Sequence, residues 1–306
     1  MHTTPGEHLV EALATFRNRR AATALLGGML AFPLLAMTES DARKKKKKKR
    51  KKKCKANSAA QTCAGVCGSV TNNCNQAVDC GACAPPCQVQ PSANLQAAID
   101  AAAAGSTLTL CAGTFNLATT VLINKPLTLT GAGLGQTVLD GGNAKRVLTI
   151  NGPGAVTLQD LTVTRGRALW ANEGSNNYGG GIRVFGADLT LRNVAVDANT
   201  ASYGGGIAIT KGTLPACSLV VGSGSRVSGN NAVVDESAGG TAGGILGLGN
   251  VSVIVEAGAN VTGNTASFPA GGIQVSSGAT ITLAPGSSVT ANTPDNCHPN
   301  VGTSCV

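Results

Sequence analysis

The sequence predicts an all-β fold in which the chain winds into a solenoid of parallel strands. Three observations predict it. The phrase NTASYGGGIAI, Asn199 to Ile209, returns as NTASFPAGGIQV from Asn264 to Val275. Short segments that alternate apolar and polar residues follow one another from residue 107 onward. The 306 residues include 41 glycines, about twice the usual share, while aromatics are only 3%. That composition suits many short strands and tight turns, not helices packed around large aromatic side chains.

The elements follow in chain order. Residues 1–42 read as an export signal: Arg17, Arg19 and Arg20 open it, Ala21 to Met37 is apolar, and Ser40-Asp41-Ala42 offers a small-x-small cleavage site. The pair Arg19-Arg20 resembles a twin-arginine signal, although Ala21-Ala22-Thr23 stand where a bulky apolar residue belongs. Residues 43–53 are wholly lysine and arginine, so like charges repel and no apolar side chain offsets the entropy of ordering them. This run supplies most of the formal net charge of +9. From residue 58 onward nine basic and eleven acidic side chains leave a nearly neutral body. Because the basic run follows the apolar segment, an uncleaved anchor with the body inside stays open beside export. Eleven cysteines, seven of them between residues 54 and 87, favour an oxidising compartment.

Residues 54–87 form a small module with almost no core-forming side chains, to be held by disulfides. A metal site is the competing reading, but only Cys80-Gly-Ala-Cys83 has suitable spacing and no histidine lies near. Ala84-Pro85-Pro86 closes the module as a stiff joint. Cys87 with Cys111, and Cys297 with Cys305, are candidate pairs, and the odd count leaves a thiol over. Residues 88–306 form the main domain. A helix is expected from Ser92 to Ala104, with Ser92 as cap, Leu95, Ile99 and Ala102 on one face, and Gly105 as stop. Strands are expected at 107–110, 121–123, 127–131, 147–150, 156–163 and 188–196.

A Val-x-x-Asn pattern recurs at Val196–Asn199, Val227–Asn230, Val261–Asn264 and Val289–Asn292, after a degenerate Val163–Gly166. Gly-Gly-Ile recurs at Ile182, Ile207, Ile245 and Ile273. Such internal periods mean stacked units. Ile182, Val184, Leu189, Leu191, Val194 and Val196 would point inward in one coil. Asn199, Asn230, Asn264 and Asn292 would form a structural ladder at one corner, each bonding the next. The helix would cover the open end of the core.

With these residues in view, the segment from Leu95 to Cys297 resembles a right-handed parallel β-helix of the pectin-lyase-like group. Its opening, LQAAIDAAAAGSTLTLCAGTF, resembles that family's first coils. The GGGI…NTAS units resemble repeats of polymorphic outer-membrane proteins. The resemblance implies a secreted bacterial β-helix protein and leaves function open, since the scaffold serves enzymes and adhesins alike.

Related hydrolases carry clustered aspartates, Gly-His-Gly and Arg-x-Lys, none of which occurs. His298 is the only histidine after the signal. Asn292-Thr293-Pro294-Asp295 resembles Asn-Thr-x-Asp without a partner motif. A calcium-dependent polysaccharide lyase would need an acidic cluster and a basic residue. The candidates are Asp160, Asp188 and Asp197 with Arg165, Arg167, Arg183 and Arg192. In the repeat alignment Asp160 stands where Asn193 stands, which also suits a corner role.

Residues 165–178, RGRALWANEGSNNY, interrupt the early coils and hold the sole tryptophan. Trp170, Tyr178, Glu173 and Arg167 are the candidate ligand-binding residues, because aromatic faces beside arginine suit sugars or acidic polymers. A local plug is the bland alternative for Trp170. The insertion at 211–218, with Pro215 and Cys217, is read as structural, and that at 232–242 as small, polar and mobile. The functional expectation is a monomeric, exported or cell-surface binding protein for extracellular polysaccharide or an anionic envelope polymer. Residues 43–53 are expected to act as a tether to an anionic surface, with a solvated spacer that holds the body off it as the other reading. No metal or other cofactor is expected, calcium entering only with the lyase alternative, and no specific nucleic acid partner is expected.

Overall fold

The computed structural model describes residues 54–63, 68–81, 86–236, 238–276, 278–298 and 305. The export signal at 1–42 and the basic run at 43–53 lie outside these residues, as do Cys67, Cys83, Ala84 and Pro85. No helix among the described residues is long and apolar enough to cross a membrane.

From Thr107 the chain forms a parallel β-solenoid of about six turns. One face is a seven-stranded sheet: Val121–Ile123, Leu148–Asn151, Ile182–Phe185, Ile207–Thr210, Ile245–Leu248, Ile273–Val275 and Cys297–His298. Ile182 pairs with Ile207, Ile207 with Ile245 and Ile245 with Ile273, so each Gly-Gly-Ile marks one turn whatever the loop length between. A second, bent sheet of twelve strands contains Ala155–Thr164 and Asp188–Asp197. Each of these bends midway at a residue in the left-handed region, Asp160 (φ 53°) and Asn193 (φ 50°). Val163, Val196, Val227, Val261 and Val289 run down this sheet in register. The third face is a four-stranded sheet of two-residue strands: Arg167–Ala168, Thr200–Ala201, Asn231–Ala232 and Thr265–Ala266.

All pairings within these three sheets are parallel. Ile182, Val184, Leu189, Leu191, Val194 and Val196 are fully buried and stack on equivalents such as Val227, Val253 and Val261. Each such side chain contributes about 1.5–3 kcal/mol by leaving water.

The turn from the bent sheet to the short sheet is built by the asparagines. Asn230 Oδ1 accepts from the Asn199 backbone N–H and from Asn199 Nδ2, both at 3.0 Å. Asn264 serves Asn230 in the same way, and Asn292 serves Asn264. Each Nδ2 also donates to a valine carbonyl of the preceding turn: Val163, Val196, Val227 or Val261. Asn296 ends the column by accepting from Asn292. At the other end Asn199 Oδ1 accepts the Gly166 N–H at 2.8 Å.

The same ladder explains the glycines. A Cβ on Gly206 would lie 2.9 Å from Asn230 Nδ2, and Gly181, Gly244 and Gly272 meet Asn199, Asn264 and Asn292 in the same way. The glycine one place earlier, Gly205, faces the Asn231 carbonyl at 2.5 Å from its missing Cβ. Any side chain would push the turns apart.

Two expectations need correction. The helix spans Leu95–Ala101, not 92–104, and its cap is Asn94, whose Oδ1 accepts the Ala97 N–H at 3.1 Å. Ser92 belongs to the turn after Pro91, where Ala93 N–H donates to Gln90 O. The helix stops early because Lys125 Nζ takes the Asp100 and Ala102 carbonyls at 2.9 and 2.6 Å. Leu95 and Ile99 are buried against the first coils. The 232–242 insertion is an antiparallel hairpin, Val234–Asp235 with Ala238–Gly239, tied to neighbouring turns through Asp235.

The module before the solenoid holds a short hairpin, Ser69–Thr71 with Ala77–Asp79, and disulfides Cys54–Cys74 and Cys63–Cys80. None of its described residues is buried, so covalent links replace a core. Cys80, considered as a metal ligand, is bonded to Cys63. Cys87–Cys111 pins the entry to the first turn, and Cys297–Cys305 closes the last described strand.

Candidate functional site

The side chains offered for lyase chemistry do not converge. Asp160 sits at its corner, where Oδ1 accepts from Asn193 Nδ2 at 2.6 Å and Oδ2 from Gln159 at 3.0 Å. Asp188 Oδ1 accepts from the Ser218 N–H and hydroxyl at 2.7 and 2.9 Å. Asp197 pairs with Arg226 at 3.1 Å. Arg165 grips Asp140 through both carboxylate oxygens. Arg192 is exposed beside Gln159 on the bent sheet, and Arg183 is on the seven-stranded sheet. Among the described residues no three His, Cys, Asp or Glu side chains gather as a metal ion requires. The three aspartates therefore do not form a donor set that fits calcium.

A different arrangement lies on the outer side of the seven-stranded sheet. On Ile182–Phe185, the buried Ile182 and Val184 alternate with outward Arg183 and Phe185. Arg183 Cζ lies 5.4 Å from the Phe185 ring centroid. Tyr178 stacks on Tyr203, ring centroids 4.8 Å apart. These rings cover an outer cluster of Ala208, Ala242 and Leu246, with Leu248 beside them. Tyr178, Arg183, Phe185, Thr210 and Leu248 enclose a cavity of about 210 Å³. Phe185, 40% exposed, also borders a second cavity of about 330 Å³ with Asn151, Pro153, Thr213 and Leu214.

The Arg183 guanidinium is half-buried, and among the described residues it meets no hydrogen-bond acceptor and no ion-pair partner. Burial lowers its pKa, opposed by the charges of Glu173 and Tyr178. Burial likewise raises the Tyr178 phenol. A guanidinium with free donors at the wall of an aromatic cavity can take a carboxylate or sulfate in two-pronged fashion while a ring packs on the aromatic faces.

The 165–178 insertion is fixed from beneath by Arg146, which is 2% exposed. Its Nε donates to the Tyr178 and Gly179 carbonyls at 3.0 and 2.9 Å, Nη2 to Asn176 O, and Nη1 pairs with Glu173 at 3.3 Å. Burial pulls the Arg146 pKa down to about 10, and the Glu173 charge limits the fall. Glu173 is thus the counter-charge of a buried arginine. Trp170, 41% exposed, begins the short helix Trp170–Glu173 and does not line the cavity. Arg167 is exposed on the short sheet.

Of the four residues proposed from sequence for ligand binding, the structure places only Tyr178 at the cavity, together with Arg183 from the catalytic candidates. Phe185, Tyr203, Leu248 and Arg146 were missed. The outward phase of Phe185 in IRVF was a usable signal. For Arg146 there was none, because its burial depends on carbonyls some thirty residues away.

No family model matches this chain, and no curated protein matches it. Two solved structures are similar to it. The crystal structure of Escherichia coli YbhC shows 17% identity over 69% of this chain and 70% of that chain, with a TM-score of 0.36. The crystal structure of pectate lyase Pel9A shows 12% identity over 71% of this chain and 81% of that chain, with a TM-score of 0.32.

Proposed function

We propose that this protein is an exported, non-catalytic β-helix binding protein that holds an acidic extracellular polysaccharide on its lateral face. The observation that carries the reading is the half-buried Arg183 guanidinium, which makes no hydrogen bond or contact ion pair among the described residues and stands over Phe185 at a cavity shared with Tyr178 and Leu248. Glu173 acts on it only from a distance and is already paired with Arg146, so a half-buried cation with no contact ion pair favours an anionic ligand, and the aromatic walls favour a ring. The separation of Asp160, Asp188 and Asp197 supports binding without bond cleavage. The polybasic run at 43–53 acts as a tether to an anionic cell-envelope polymer, with screened charge as its only attraction.

The test measures binding to polygalacturonate and alginate, and the release of unsaturated product with and without chelator. Binding without product is expected. Arg183→Ala should weaken it at least roughly tenfold, a loss of about 1.4 kcal/mol. Chelator-sensitive product would remove the non-catalytic reading, and binding indifferent to Arg183→Ala would remove the cavity. Deleting residues 43–53 should lower retention on isolated envelopes, and unchanged retention removes the tether.

A further inference from the structure

The repeated phrase carries at its fifth place an aromatic, Tyr203 or Phe268, that the asparagine ladder does not use. In four successive turns one residue stands two places beyond the paired alanine of the short sheet. These are Trp170 after Ala168, Tyr203 after Ala201, Val234 after Ala232 and Phe268 after Ala266. Tyr203 stacks on Tyr178. The other three are exposed large hydrophobics, at 41%, 52% and 51% for Trp170, Val234 and Phe268. They are linked to one another. Trp170 N–H donates to Asp235, the neighbour of Val234, at 2.6 Å, and Phe268 N–H donates to Gly240 O at 2.8 Å. Gly240 lies against Val234, since an added Cβ would come 2.9 Å from Val234 Cγ2.

A second row runs beside them, three places earlier in each turn: Arg167, Thr200, Asn231 and Thr265, in register. Thr265 Oγ1 donates to Asn231 Oδ1 at 2.9 Å. The strands that precede Trp170 and Phe268, Arg167–Ala168 and Thr265–Ala266, are three strand spacings apart, about 14 Å.

We infer that this strip binds an uncharged linear polysaccharide laid along the solenoid axis. Exposed aromatic planes accept the C–H faces of sugar rings, and a row of hydroxyl and amide groups answers sugar hydroxyls. An extended pyranose chain advances by about one strand spacing per sugar, so Trp170 and Phe268 would take rings three sugars apart, with Val234 an apolar contact between them. Charge complementarity selects the uncharged polymer. Thr200, Asn231 and Thr265 carry no charge, and the Asp235 carboxylate is engaged by the Trp170 amide and the Ser202 hydroxyl. Arg167 is the one cation of the two rows and stands at their first turn; Tyr203, Val234 and Phe268 add none, so an anionic polymer would meet a positive charge in one turn of four. The strip adjoins the Arg183 cavity only where Tyr203 stacks on Tyr178, and Phe268 and Arg183 test the two separately.

Trp170 is the sole tryptophan, so its fluorescence reports on the strip directly. The intact protein is titrated with cellohexaose and with chitohexaose. A saturable spectral shift is expected with at least one of them. The corresponding disaccharide should bind at least roughly tenfold more weakly, because it cannot span the strip. Phe268→Ala should weaken the hexaose by roughly tenfold, while Phe268→Tyr retains it and Arg183→Ala leaves it unchanged. The inference is overturned by no shift with either hexaose, by equal affinity for the disaccharide, or by indifference to Phe268→Ala. It is equally overturned by a sugar-independent dimer in sedimentation that Phe268→Ala dissolves, which would assign the strip to a second copy.

Discussion

Asn230 Oδ1 receives both the backbone N–H and the side-chain Nδ2 of Asn199, each at 3.0 Å. Both residues are fully buried. Replacing Asn230 by alanine leaves the Asn199 N–H without its acceptor and takes the Nδ2 donor from the Val196 carbonyl, which costs about 1–3 kcal/mol. Asn292→Ala, at the end of the column and 7% exposed, should cost less. Guanidinium unfolding followed by circular dichroism gives the order. Equal loss at the two positions would show that column position does not set the cost.

Gly206→Ala should destabilise by about 1–3 kcal/mol through overpacking alone. The new Cβ would lie 2.7 Å from Gly244 O and 2.9 Å from Asn230 Nδ2. In an Asn230→Ala background part of that clash disappears, so the two losses should add to less than their sum. A double-mutant cycle in the same unfolding assay measures the coupling, and strict additivity would contradict the contact.

These two residues show why the fold was legible. Stacked turns place identical residues over one another, so a local requirement such as a buried corner amide or a glycine beneath it repeats as a spelling. Period-two alternation gave the inward side chains for the same reason. The site was legible only in part, because it depends on what does not repeat. Arg146 is recruited by Asn176, Tyr178 and Gly179, residues inside a unique insertion. Phe185 matters because Arg183 lies over it and two cavities flank it. Ser92 and Asn94 are both good caps, and only the turn after Pro91 decides between them.

Arg146→Ala should destabilise by about 3–5 kcal/mol, since Glu173 loses its buried partner. The Asn176, Tyr178 and Gly179 carbonyls lose their donor with it. The effect should concentrate in the insertion. Limited proteolysis should then nick residues 165–178 well before the rest of the solenoid. Nicking spread evenly along the chain would show that Arg146 does not act locally.

Asp140 should make stability sensitive to acid. Burial works to raise its pKa, but the Arg165 hydrogen bonds, the Gly142 N–H, and the charges of Arg165 and Lys145 outweigh it and hold the value below 3.8. The folded state therefore binds this proton less readily than the unfolded chain. The stabilisation is complete above the ordinary carboxylate pKa and is lost as pH falls through the lower folded value. Asp140→Asn should lower the unfolding midpoint at neutral pH, and the gap from wild type should close between about pH 5 and pH 2. A gap that stays constant over that range would count against the pairing.

Cys217 opens the strand Cys217–Val221, is 5% exposed, and is the free cysteine among the described residues. Burial pushes its pKa up to about 11, the Asp188 charge adds to the shift, and Lys211 opposes it. At pH 8 only about one thiol in a thousand is then ionised, against roughly one in four for an ordinary cysteine. Iodoacetamide at pH 8 should leave the Cys217 peptide unmodified in the folded protein and label it in guanidinium without reductant, as read by mass spectrometry. Cys217→Ala should be tolerated better than Cys217→Ser, because the buried hydroxyl needs a partner that the thiol does not. Rapid labelling of the folded protein would mean that this strand is open to solvent, and that the inner face of the turn it begins is less closed than its neighbours Leu219 and Val221, both fully buried, require.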